Sequence, residues 1–407
     1  MSLGWGWRGY IGGGPFGAMI PGAMVVLVLC LLAGFDARRS ALAAAFGAVG
    51  VGFGGEMTYG QTVGFVRDPQ AFGWGLLGLA LKGAVWGLLG GAVVGIGFYL
   101  ASGRRARLAL PLAGLVAGSA LGWAVVNAPK LVYFSDPADR PREEVWAGLL
   151  LGALVLIGLF VARQRDARPV LRFAAAGLVG GWFGFGGGGL WIYLGSRLAS
   201  APDWVPWWKL MEFTFGLLFG AALGWAARAS RDWMAPAGEI AEEGADWASP
   251  GGEVLLWATA AAGLFVASDF IPVRFAWVIV GAGLLALAYG VPRARWWIAI
   301  AVTAAAFFLD WYDYVRDEPP FGSTLLGATM TAVAIVAVCT MTLRALRAGR
   351  LDARRAFWLL VGWAAVTSWG RVVLLGDYTA SSAAEHAGFF LLLGLTALLV
   401  PRRPAAE

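Results

Sequence analysis

GFGGEMTYGQTVGFVRDPQAFGWGLLG, residues 52–78, leaves an apolar glycine-rich run through Glu56, Thr58, Tyr59 and Gln61. It passes Arg67 and Asp68 and re-enters an apolar run at Phe72. Part of it recurs near the other end of the chain. VRDPQAFGWGLLG (66–78) and VRDEPPFGSTLLG (315–327) share Val, Arg, Asp, Phe, Gly, Leu, Leu and Gly in register. A polar loop between two membrane segments, used twice, is the reading that organises the rest.

The bulk of the chain agrees. Of 407 residues 59% are hydrophobic and 14% charged, against roughly 25% charged in a soluble domain. With a mean hydropathy of +0.70, the chain cannot clothe itself in a wetted surface, and the bilayer has to be its solvent. In lipid each backbone polar group must be satisfied internally, so only helices or a closed barrel remain. The apolar runs have the ~17–25 residues a helix needs to cross. The ~10-residue alternating strands of a barrel are missing from the pattern. The expected fold is an all-α integral membrane protein.

Charge, Gly and Pro divide the apolar runs into thirteen predicted spans. They lie near 17–34, 40–57, 74–101, 107–128, 145–162, 169–188, 207–228, 253–269, 275–291, 295–310, 323–347, 354–375 and 383–400. Most of the 31 Lys and Arg residues fall in the odd-numbered connections, from Arg38 and Arg39 through to Arg402 and Arg403. The positive-inside rule then places the amino end, residues 1–16, outside and the carboxyl end in the cytoplasm. The first apolar run lacks a small-x-small cleavage site and is read as a retained anchor. The acidic stretch 229–252 becomes the largest cytoplasmic loop, read as a solvated linker.

Internal similarity suggests repeats. Gly22-Ala23 recurs as Gly152-Ala153, Asp36-Ala37-Arg38 as Asp166-Ala167-Arg168, and Phe53-Gly54-Gly55 as Phe185-Gly186-Gly187. The expected organisation is three four-helix units, 17–128, 145–269 and 275–375, with an added helix at 383–400. An even number of helices per unit makes the repeats parallel.

Several chemistries are excluded or disfavoured. The net charge of +6 is spread over helix ends rather than gathered in a patch, so no nucleic acid is expected as partner. Cys30 and Cys339 sit in mid-segment as packing residues, His386 is the single histidine, and neither a metal nor a cofactor is implied. GFGGGG at 184–189 follows an apolar span rather than a strand, which rejects a dinucleotide cradle. The 60 glycines, as at Gly83, Gly87, Gly91 and Gly95, read as helix-packing faces. Most of the 22 tryptophans read as an interfacial belt.

Charge inside an apolar span is costly, about 2.5–3.5 kcal/mol even on insertion scales, and so marks function. Glu56, Lys82, Glu212, Asp269, Asp310 and Arg371 all fall toward the extracytoplasmic ends of their segments, and Lys82 is positioned to pair with Glu56. A tyrosine follows three equivalent helix ends: Tyr59, Tyr193 and Tyr312. Arg197 and Arg316 stand four residues after the latter two, and Arg67 follows Tyr59 at a greater distance. The expected site is one polar outer vestibule drawing on Glu56, Tyr59, Gln61, Arg67, Lys82, Tyr193, Arg197, Glu212, Asp310, Tyr312 and Arg316. The competing reading makes the Arg-Asp pairs loop ties and the tyrosines belt residues.

Two functions fit such a vestibule. One is a secondary carrier for a small polar or sugar-like solute, multi-pass in the cell (inner) membrane, with Glu56 or Glu212 as coupling carboxylate. The other is a membrane transferase acting on a lipid-linked or sugar substrate at the extracytoplasmic face, with Glu56 or Asp310 as base and Arg67 or Arg316 as anion clamp. A scaffold or accessory subunit that docks partner helices, or a homo-oligomer, is the blander alternative.

Overall fold

The computed structural model describes residues 1–11, 13–57, 59–135, 143–198, 203–240, 250–270, 276–317, 323–375 and 380–400. Within these ranges the side chains of Ile11, Gln61, 250–251, Glu253, 264–270, Asp310, 313–317 and 370–375 are excluded.

The described residues are helical throughout, without a strand. Each predicted apolar segment lies on helix. The long elements are α2 (Gly14–Leu32), α3 (Ala37–Gly52), α5 (Phe72–Ala101), α6 (Ala109–Gly122), α7 (Trp146–Arg163), α8 (Arg168–Arg197) and α9 (Trp207–Arg228). After them come α11 (Pro250–Phe270), α12 (Ala276–Gly290), α14 (Thr303–Asp317), α15 (Thr324–Arg347), α16 (Ala353–Leu375) and α17 (Ala380–Leu399). Four short α-helices also occur among the described residues: α1 (Ser2–Arg8), α4 (Gly60–Arg67), α10 (Arg231–Met234) and α13 (Ala294–Trp296). Among the described residues eight helices are long and apolar enough to cross a membrane: α2, α5, α6 with its extension to Asn127, α7, α8, α9, α15 and α17. The chain is a multi-pass membrane protein.

The axis of the bundle is α5, whose apolar window is wholly buried. It runs antiparallel to α8 at a distance that only glycine permits. A Cβ on Gly87 would lie 1.8 Å from the carbonyl oxygen of Gly177, and one on Gly177 2.0 Å from that of Gly87. Gly83 and Gly181 repeat the arrangement one turn away, at 2.1 and 1.9 Å, and Gly91 meets the Phe173 carbonyl at 2.2 Å. Here the α-hydrogen points at the neighbouring carbonyl, the geometry of a weak C–H···O bond. Lipid tails give apolar helices no net hydrophobic drive to associate, so close backbone contact of this kind has to hold them. The small-residue faces read in the sequence are therefore used as packing faces.

Between α6 and α7 the union is polar as well. α6 widens into a π-type turn over Trp123–Asn127, and Asn127 Oδ1 accepts from the backbone N–H groups of Ala147 and Gly148, each at 3.1 Å. Val145 opens α7 without a side-chain cap of its own. A residue from the preceding helix thus satisfies the free donors at its first turn.

The opening helix packs within the bundle. α1 is buried, with Trp5 and Trp7 fully enclosed. Gly4 lets α1 rest on α2, where a Cβ would lie 3.0 Å from Pro21 Cα and 2.9 Å from Met24 Sδ. On its other side Gly216 of α9 admits Ser2 and Trp5, and Ser2 Oγ donates to the Phe213 carbonyl at 2.8 Å. Met1 reaches only to Gly220, part way along α9. α1 and α2 therefore pack against one another as a helical hairpin. α1 satisfies its backbone as a helix and is surrounded by protein, the condition an apolar environment sets for it.

Candidate functional site

The tip of that hairpin gathers the polar side chains. α1 ends at Arg8, a cation at a helix C-terminus, where the macrodipole favours positive charge. Arg8 is 2% exposed. Its guanidinium lies over three rings, Trp86 at 5.0 Å, Trp5 at 5.3 Å and Tyr59 at 5.4 Å. Its Nη1 donates to the Tyr59 hydroxyl at 2.9 Å. Among the described residues no carboxylate stands within ion-pair distance of Arg8, and its buried Nε has no acceptor. Aromatic faces compensate part of the desolvation of such a cation, by ~2 kcal/mol or more when water is excluded.

Beside it α9 supplies a second buried cation with its own partner. Lys209 Nζ donates to Glu212 Oε2 at 2.7 Å and to the Gly6 carbonyl at 3.0 Å, and lies 4.5 Å from the Tyr10 ring centre. Trp208 Nε1 donates to Glu212 Oε1 at 3.1 Å. Glu212 is fully buried. Lys209 and Glu212 are three residues apart and share one helix face, so the pair follows from the WWKLMEF sequence. Gly9 passes directly over it: a Cβ there would stand 2.2 Å from Lys209 Nζ and 2.5 Å from Glu212 Oε1.

Toward solvent the cluster continues through half-buried groups. Tyr10 donates its hydroxyl to Glu385 Oε2, and His386 Nδ1 meets the Ser382 carbonyl, both on α17. The Trp208 and Tyr59 rings lie 6.1 Å apart and nearly parallel. Away from solvent the cluster stops at rings. Trp5 packs on Phe215 at 4.3 Å and on Trp86 at 5.0 Å, and Phe185 stacks on Phe215 at 3.9 Å.

Of the residues the sequence singled out, this cluster takes Tyr59 and Glu212. Glu56 does other work: its Oε1 accepts from the backbone N–H of Trp277 at 2.9 Å, capping α12 from a distance. Lys82 does not pair with Glu56 as expected. It donates to Glu144 Oε1 at 2.6 Å and to Thr62 Oγ1 at 2.8 Å. Glu144 is held further by the Ser135 hydroxyl at 3.1 Å and the Phe134 N–H at 3.0 Å. This knot binds α4, α5 and the approaches to α7, a structural role by its geometry. Tyr193 packs on Phe72 at 4.2 Å with Arg197 over its ring at 5.4 Å, and Arg197 is exposed. Arg67 is exposed at the end of α4, while Asp68 turns back on the Gln70 N–H. Tyr312 is half-buried on α14. None of Lys82, Tyr193, Arg197 and Arg67 touches the Arg8 cluster. The side chains of Gln61, Asp310 and Arg316 lie outside the described residues.

Arg8, Lys209 and Glu144 escaped the sequence reading. Arg8 carried a signal, being the one charge between two tryptophans and the GGGP run at 12–15. Glu144 had none beyond its place before an apolar run. Compared with known proteins, the chain matches no family model, no curated protein and no solved structure.

Proposed function

We propose that this multi-pass protein is a secondary carrier for a small polar solute, bound toward the extracytoplasmic side at Arg8, Tyr59, Trp208 and Glu212. With it we propose thirteen crossings of the cell (inner) membrane, amino end out and carboxyl end in, as three parallel four-helix units plus one helix. The observation that carries the reading is the buried Arg8 at the end of the enclosed first helix. A buried cation without a carboxylate partner is expensive, and in membrane proteins it marks a substrate or ion pathway. Glu212 is the coupling carboxylate in this reading, in place of Glu56, which serves α12.

α1 gives the carrier a gate. The polar cluster stands at its Arg8 end. At its Met1 end lies an apolar cavity of about 390 Å³ between α2, α9 and α17. Withdrawal of one short helix joins the two, a hinge-like motion about the glycines that follow Arg8. The test is uptake by proteoliposomes of a labelled panel (glucose, lactate, succinate, inorganic phosphate) under an imposed proton gradient. At least one solute is expected to accumulate above protein-free vesicles, and Glu212→Gln to abolish gradient-driven accumulation. Entry of none, or full accumulation by Glu212→Gln, rejects the reading.

A second reading rests on the aromatic floor of Trp5, Trp86, Phe185 and Phe215, which closes the cluster on one side. A site closed below suits an enzyme working at the extracytoplasmic face, with Glu212 as base and Arg8 as anion clamp. Turnover of a lipid-linked sugar without uptake of any solute favours it.

A further inference from the structure

We infer that a groove between α2 and α9 seats an anionic phospholipid of the surrounding bilayer, with an acyl chain along the groove and the phosphate at Arg228 and Arg231. No residue of the Arg8 cluster lines this groove, so the inference stands apart from the carrier reading.

Two cavities of about 390 Å³ each follow one another along α2 and α9 and share Leu29 and Leu32. The first is closed at its inner end by Met1, Ser2 and Leu3 of α1 and is walled by α2, α9 and α17. The second continues past Gly224 and ends at Arg228 and Arg231. From Gly216 to Arg228 the α9 wall rises about 18 Å at the α-helical pitch. That is a little over half of the ~30 Å hydrocarbon core, the depth of one leaflet.

The two side-chain hydroxyls along the groove are already engaged, Ser2 with the Phe213 carbonyl at 2.8 Å and Thr396 with the Leu392 carbonyl at 2.7 Å. What the side chains offer is thus a lining for a hydrocarbon chain rather than for a polar solute. The groove also opens sideways. Leu32, Leu217 and Leu399 on its walls are 61%, 59% and 78% exposed, and they stand on helices long and apolar enough to cross a membrane. The space beside them is lipid.

Charge is confined to one end. Arg228 closes α9 and Arg231 opens α10. Both are exposed, and among the described residues neither makes an ion pair or a side-chain hydrogen bond. Two guanidinium forks on one cavity match the oxygens of a phosphate, and basic pockets between membrane helices are where anionic headgroups bind. Glu212 lies near the start of α9 and Arg228 at its end, so the arginines mark the end of the bundle away from the Arg8 cluster, the one proposed to face the cytoplasm. Arginines outermost and an apolar channel within reproduce the order of headgroup and tail in that leaflet.

The test titrates the full chain in dodecyl maltoside micelles with dioleoylphosphatidylglycerol or dioleoylphosphatidylcholine and counts bound lipids by native mass spectrometry. One phosphatidylglycerol is expected to saturate first, with an affinity ~10-fold or more above that of phosphatidylcholine. Arg228→Gln combined with Arg231→Gln removes this preference. Arg163→Gln combined with Arg165→Gln, an equal loss of charge outside the groove, keeps it. A Cβ on Gly224 meets no heavy atom within 4 Å, so Gly224→Phe fills the groove and abolishes the bound lipid. Its thermal midpoint is compared with the parent's, and Gly224→Leu takes its place if the larger ring lowers it.

Equal affinity for the two lipids overturns the inference. So does a phosphatidylglycerol adduct that survives unchanged in the filled groove or in the Arg228, Arg231 variant. Displacement of the lipid by roughly 1 mM glycerol 3-phosphate, which carries the charge without a tail, assigns the arginines to a soluble anion and also overturns it. A lipid-free dimer broken by Gly224→Phe does the same, by giving the groove to a second copy of the chain.

Discussion

Lys82→Met strips a buried carboxylate of its cation. Lys82 and Glu144 stand 2.6 Å apart with side chains 2% and 1% exposed, so water compensates neither. Removing one member of such a pair costs about 3–5 kcal/mol. After Lys82→Met, Glu144 keeps two donors, the Ser135 hydroxyl and the Phe134 N–H, which places that loss near ~3 kcal/mol. Glu144→Leu is worse. It leaves an ammonium in the bundle and also strips those two donors of their acceptor, at ~1–3 kcal/mol for each unsatisfied group. Joined with Lys82→Met it becomes milder, because no lone charge remains. The expected order of destabilisation is Glu144→Leu first, with both Lys82→Met and the double variant below it. At ~2.1 cal/mol/K per residue, ~3 kcal/mol moves the melting of a chain this long by roughly 3–4 °C, and by more if helices persist in the unfolded state. Tryptophan fluorescence melts in detergent micelles measure it. A double variant whose loss equals the sum of the two single losses refutes the coupling, as does a Lys82→Met protein that melts with the parent.

Two further outcomes follow from the caps. Asn127→Ala bares the Ala147 and Gly148 N–H groups and is expected to cost ~0.5–2 kcal/mol in the same melts, while Asn127→Asp, which keeps the acceptor, stays close to the parent. Glu56→Gln retains an acceptor for the Trp277 N–H and is expected to leave both the melting temperature and gradient-driven uptake unchanged. Glu56→Ala lowers the former by an amount similar to the Asn127→Ala loss, and uptake abolished by Glu56→Gln alone returns Glu56 to the coupling role.

Composition and segment length sufficed to read the helical membrane fold, because a bilayer leaves the backbone few alternatives. α1 was not readable this way. SLGWGWR is too short to show a period, and its two glycines disfavour helix when nothing surrounds them. They make sense only against Pro21 and Phe213, which they allow to approach. For the site, a carboxylate inside an apolar run points to Glu212, which the structure places between Lys209 and Trp208. Glu56 and Lys82 meet the same criterion and find the Trp277 N–H and Glu144 as partners, since expense marks a buried charge without saying what compensates it. The compensators, Trp277 N–H and Glu144, come from distant parts of the chain, and nothing local announces them. Tyr59 stands out in the sequence for its place in a repeated loop, whereas what brings it to Arg8 is the first helix packed into the bundle.

That helix also sets an order of events during synthesis. Its seat is built by α2, which follows at once, and by α9, whose Gly216 admits Trp5. About 200 residues separate seat from occupant, and at ~5–20 residues per second the ribosome takes roughly 10–40 s to deliver them. Through that interval the α9 side of the seat is missing, and Arg8 and the two tryptophans have only the α2 and α5 side to pack against. Docking of the first helix is thus completed only after α9 has been made, since Lys209, Glu212 and Gly216 all come from it.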